Sequence, residues 1–181
     1  MVEVAPDTIF HAGDRIQFSV ETNGPGYLYV VSQGSSGTWK PVFPSADVEE
    51  GNNHVEGMRT YEMPPKSRLV FDEQAGTEKI FIVLSREPEP NLENVIYSLQ
   101  APKAKPAATP AAAPDTPKQL LVASIDDGVV GLLRNSYSRD LIVEKVDENT
   151  PGDKKEKATY VVNPTGSQDS RVIADLHLVH Q

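Results

Sequence analysis

The sequence predicts a soluble, mainly β domain: an antiparallel β-sandwich with one short helix and an Ala/Pro-rich inserted loop. Three observations predict the β class. Short apolar runs alternate with polar residues at a period of two, as in Arg15-Ile16-Gln17-Phe18-Ser19-Val20. Gly and Pro clusters punctuate these runs at short intervals. One run, Ile80-Phe81-Ile82-Val83-Leu84, is apolar throughout, as a strand covered on both faces must be.

Taken in order, the first strand starts at Arg15 and ends before Asn23-Gly24-Pro25-Gly26, where Pro25 and a positive φ at Gly26 suit a type II turn. Residues 27–31, Tyr-Leu-Tyr-Val-Val, form a strand buried on two sides. Gly34-Ser35-Ser36-Gly37 has hairpin length, and the strand beyond it (38–43) contains Pro41, which cannot donate to a ladder and so belongs at an edge. A polar loop over 45–57 leads to short strands near 59–63 and 69–71. Gly76 then introduces the strong strand at 79–85, read as central.

Residues 101–117 hold seven Ala and five Pro, too little apolar bulk for a core, and read as an extended solvated loop. Thr116-Pro117 resembles an N-cap followed by Pro at the first helical position. Leu121, Ile125, Val129 and Leu132 then mark one helix to about Asn135, with Asp126-Asp127 on its wet face. Three strands follow, near 140–146, 158–163 and 171–180. The expected organisation is a single domain over 1–181, in which the last strands complete what 1–100 begins. A second domain of 64 residues would have only a marginal core.

Composition excludes several functions. The net charge of −9, from 26 acidic and 17 basic residues, argues against nucleic acid and anionic membrane partners. The absence of cysteine removes disulfides, zinc–thiolate sites and thiol nucleophiles. No apolar run reaches the roughly 18 residues of a membrane helix, and the N-terminus lacks the basic and apolar regions of an export signal. No phosphate loop or dinucleotide fingerprint calls for a cofactor. Ser35 and Ser36 lack the spacing of a nucleophile elbow and an evident base.

The strings HAGDRIQFSVETN, GPGYLYVVSQGSSGTWKPVFP and RLVFDEQAGTEKIFIVLSREP resemble the bacterial domain of unknown function 4384. The resemblance spans most of 6–88 and, with looser spacing, 138–180, where SRDLIVEKVDE and KATYVVNP carry it. It implies an Ig-like sandwich in an exported protein, periplasmic or extracellular, whose signal has been removed from this chain. It implies no agreed activity. Pro41 and the long Ala/Pro insertion depart from the pattern.

The candidate binding residues are few. Trp39 and Tyr61, if outward-facing, would form an aromatic platform for sugar or peptide, although core packing is the plainer reading of the aromatics. Asp72, Glu73 and Glu78 flank a Gly turn, and hard oxygens there suit calcium, although turn structure is the plainer reading. His177 and His180 point to opposite faces of a strand and cannot share a metal; His11 and His54 lie in loops without paired ligand spacing. The sequence therefore reads as a non-catalytic module binding protein or glycan. A hydrolase or metal enzyme built on the loop carboxylates, or a structural spacer, are the alternatives.

Overall fold

The computed structural model describes residues 4, 7–34, 36–45, 51–97, 125–137, 142–145, 159–162 and 171–181. The expectations for the Ala/Pro loop, for the Thr116-Pro117 cap and for Leu121 lie outside these residues. Within them the chain is mainly β, with antiparallel ladders and two short helices.

The main sheet has five strands. β3 (Gly26–Gln33) and β8 (Gly76–Ser85) lie at its centre, β11 (Val172–His180) pairs with β8, and β4 (Trp39–Phe43) and β5 (His54–Val55) pair with β3. The two most apolar runs are thus the two central strands, because only there are both faces and both edges covered. Pro41 does fall on the edge strand β4, opposite Val31, next to a register shift between Val30 and Val31. Gly37, at φ +71°, and its N–H bond to the Gly34 carbonyl close the β3–β4 hairpin.

Alternation sorts the central strands' side chains into two cores. Tyr29, Val31, Phe81, Val83 and Ile173 face one side, where helices α1 (Pro90–Tyr97) and α2 (Asp127–Tyr137) cover them with Leu92, Ile96, Val130 and Leu133. Leu28, Val30, Ile80 and Leu178 face the other. There the cover is two ladders, β1 (Arg15–Ile16) with β7 (Leu69–Val70) and β2 (Phe18–Glu21) with β6 (Thr60–Met63). Each fully buried aliphatic or aromatic side chain contributes about 1.5–3 kcal/mol. A separate ladder joins β9 (Ile142–Lys145) to β10 (Thr159–Val162).

Five expectations need correction. The first strand is two strands, because its partner chain leaves the ladder at Pro64 and returns at Leu69; Gln17, between them, donates from Nε2 to the Pro64 carbonyl at 2.9 Å. Gly26 does not adopt positive φ but opens β3, where a Cβ would meet the Ser85 carbonyl oxygen at 2.7 Å. The loop at 45–57 contains β5. Helix α1 was not expected at all: Glu89 precedes Pro90 at the first helical position, and its carbonyl accepts from the Leu92 and Glu93 amides.

The fifth correction concerns α2. Ile125 is extended, donating its N–H to the Trp39 carbonyl at 2.8 Å, and the helix begins two residues later. Asp126 caps it, its Oδ1 accepting the Gly128 N–H at 2.7 Å. Asp127 is no idle wet residue, since its Oδ1 accepts the Trp39 indole N–H at 2.8 Å. The buried face is Val130 and Leu133, while Leu132 is 54% exposed. Arg134 closes the contact with a two-pronged bond to Asp175 on β11, at 2.7 and 2.8 Å, with its guanidinium over Phe81.

Candidate functional site

Among the described residues, a dense polar cluster sits under the start of α1. Tyr29, inward-facing on β3, donates its hydroxyl proton to Glu93 Oε1 at 2.6 Å and accepts the Glu89 backbone N–H at 2.9 Å. Asn53 donates to the same Glu93 oxygen at 3.0 Å. The Glu89 carboxylate, 1% exposed, meets Arg171 Nε at 2.7 Å and accepts from the Asn91 amide at 3.1 Å. Burial pushes the Tyr29 phenol far above its ordinary range, and the bond to Glu93 adds to the shift. The Tyr29 phenol thus stays protonated at neutral pH and serves as a hydrogen-bond donor. The cluster pins α1 and the approach to β11 onto the sheet. Sequence reasoning missed it because its members are far apart in the chain; the Glu89-Pro90 pair, followed by Glu93 one helical turn on, was the available signal.

The sequence-predicted residues are scattered. Trp39 is 1% exposed and edge-on to Phe81, so it packs in the core and does not meet the outward-facing condition for a platform with Tyr61. Tyr61 is half-buried on the opposite side of the sheet, its hydroxyl accepting the Glu56 N–H at 2.8 Å and its ring covered by Arg59. Asp72 accepts the Gln74 N–H at 2.9 Å, an Asx turn. Glu73 is exposed, and Glu78 lies with Oε1 3.8 Å from His180 Nε2. No three His, Asp or Glu side chains among the described residues gather as a metal-ligand set. Beside Glu78 a cavity of ≈ 50 Å³, lined also by Ser32 and Phe71, has room for a water or two and no organic substrate.

His177 and His180 occupy opposite faces of β11, as expected from strand geometry. His180 is buried against Phe71, with a ring separation of 5.0 Å, and neither ring nitrogen has a hydrogen-bond partner among the described residues.

A different surface feature was not foreseen. Where the chain leaves the ladder after Met63, Pro64-Pro65-Lys66-Ser67-Arg68 bulges outward and then returns as β7. Between this bulge and the outer face of β1 runs an open groove of ≈ 570 Å³, lined by Arg15, Gln17, Lys66, Arg68 and Val70 among others. Arg15 and Val70 are ladder partners and so stand on one face. All three cations are exposed, Val70 is 58% exposed, and among the described residues none of the three cations makes an ion pair. The signal was present in PPKSR, where two prolines that cannot feed a ladder extrude a loop bearing two cations.

Taken together, these features define a mainly β domain with no catalytic arrangement evident among the described residues and one cationic groove on its outer ladder. Residues 9–88 match the family described as Domain of unknown function (DUF4384), so the chain carries a domain of that family over this stretch. The match takes in β1 to β8 and the whole groove; the looser resemblance over 138–180 falls outside it. Comparison with curated proteins and with solved structures finds no match.

Proposed function

We propose that this chain is a non-catalytic binding module of an exported bacterial protein, an Ig-like β-sandwich that holds a protein partner on the outer face of its β1–β7 ladder. The two ladders stacked on the main sheet support the sandwich reading, with the helices as an addition on the opposite face. One observation carries the functional reading: three exposed cations with no ion-pair partner among the described residues share an open groove. Tyr29, Glu93 and Glu89 in the interior, by contrast, are joined to neighbours within their own cluster. Burial of Trp39 favours protein over glycan, because the stacking surface a sugar needs is absent at that position.

Crosslinking of the tagged chain in an envelope fraction, compared with the Arg15→Glu/Arg68→Glu variant, tests this. The expected result is a protein that joins the wild type, binds it again when both are purified, and fails to bind the variant. A partner held equally by the variant removes the groove from the reading. A hydrolytic activity abolished by Glu78→Gln overturns the non-catalytic assignment.

A further inference from the structure

The geometry points to an extended acidic polypeptide segment, carrying an apolar side chain among its carboxylates, as the occupant of this groove; the inference rests on the binding-module reading above. Arg15 projects from β1, while Lys66 and Arg68 project from the bulge opposite, so the cations border the groove from two sides. The nearest sequence neighbour able to neutralise Arg15 is Asp14, and its carboxylate is turned to His11, whose backbone N–H it accepts at 2.9 Å. No carboxylate among the described residues forms an ion pair with Arg15, Lys66 or Arg68, which leaves their donors to a ligand.

Two features select among anions. Val70, opposite Arg15 and 58% exposed, gives the floor an apolar element that a phosphate ion does not use and a peptide side chain does. The chain as a whole carries −9, so a long polyanion such as nucleic acid would meet repulsion over most of the surface. A short acidic segment instead meets the three cations within a Debye length of about 8 Å, where the rest of the protein is screened. The planar forks of Arg15 and Arg68 also suit carboxylates, each of which can accept two parallel N–H bonds.

The test is a titration of the full chain with a labelled hexapeptide, EEVEEE, followed by fluorescence anisotropy and by amide shift mapping. Parallel titrations use KKVKKK, inorganic phosphate and a single-stranded oligonucleotide. The acidic peptide is expected to bind, to shift the amides of Arg15, Gln17, Lys66, Arg68 and Val70, and to weaken as salt rises. Arg15→Ala, Lys66→Ala and Arg68→Ala should each lower its affinity about two- to fivefold, the range of an exposed ion pair, while Lys40→Ala on β4 leaves it unchanged.

Absence of groove shifts at millimolar peptide overturns the inference, and the shift mapping needs no variant to fold. Equal occupancy by phosphate or oligonucleotide overturns it too, reducing the groove to a general anion site. If a purified envelope partner is lost by the Arg15→Glu/Arg68→Glu variant while no acidic peptide binds, the module reading stands and this inference alone fails.

Discussion

At the scale of single residues, Tyr29 and His180 show opposite ways of burying a polar side chain. The Tyr29 hydroxyl has both an acceptor and a donor partner, and its pKa is raised by burial first and by Glu93 second. The unfolded chain's phenol ionises near its ordinary value of 10.0, while the native one stays protonated. Above that pH the unfolded state holds fewer protons, so stability falls as pH rises, by about 1.4 kcal/mol per unit for this one group. Urea unfolding from pH 8 to 11 should therefore show a steeper loss in the wild type than in Tyr29→Phe. At pH 7 the variant should be less stable by about 1–3 kcal/mol, because the Glu89 amide and the Glu93 carboxylate lose a partner. Parallel pH slopes would mean that Tyr29 ionises alike in both states. His180 has no hydrogen-bond partner among the described residues, the Glu78 carboxylate lying 3.8 Å away. His180→Phe keeps the stack on Phe71 and removes two unsatisfied nitrogens, so its melt should be unchanged or higher, by at most about 2 kcal/mol. A clear loss would reveal a bond to His180 that the geometry does not contain.

Among the elements, legibility followed how local the signal was. Residues 27–31 announced a strand covered on two sides and 80–84 a central one, because two-sided burial demands an unbroken apolar run, and Pro41 announced an edge because it lacks an N–H. The groove and the Tyr29 cluster were not legible, since pairing across 40 to 80 residues determines which polar groups meet. Helix α2 falls between these cases: its existence was visible and its phase was not. Reading Leu121, Ile125, Val129 and Leu132 as one stripe assumed that the helix runs through Ile125, whereas Asp126 starts it afresh and turns Val130 and Leu133 inward. The cap and the Trp39–Asp127 bond together fix that phase. Asp126→Ala should cost about 1 kcal/mol through loss of the cap, with the helix retained, since most of its stability comes from docking. Asp127→Ala should leave the buried indole N–H unpaired and cost about 1–3 kcal/mol. Chemical denaturation of the two variants, with Trp39 fluorescence as the probe, should show a shifted native emission for Asp127→Ala and an unshifted one for Asp126→Ala. The reverse pattern would assign the phase of α2 to the cap alone.

At the scale of the whole molecule the question is whether 118–181 can be removed, and β11 supplies the argument. It pairs with β8 at nine positions, from Val172 opposite Leu84 to His180 opposite Gly76. Without it, β8 changes from an inner strand to an exposed edge with an apolar run, a site for aggregation. Ile173 belongs to the core under the helices and Leu178 to the core under the ladders, so both lose packing at once, at about 1.5–3 kcal/mol for each side chain. Loss of α2 removes Val130 and Leu133 on the same scale. Loss of Arg171 takes the cation from the buried Glu89 carboxylate, and breaking one side of a buried pair costs about 3–5 kcal/mol. Together these come to about 9–17 kcal/mol, as large as the roughly 5–15 kcal/mol by which a whole domain is stable. A chain ending at Gln100 should therefore be insoluble, or soluble without a cooperative urea transition, although it contains all of the family-matched residues 9–88. The measurement is a circular dichroism melt of 1–100 beside the full chain. A sharp transition in the fragment would show that β1 to β8 and α1 close a core of their own, and that the later strands dock onto a domain already complete.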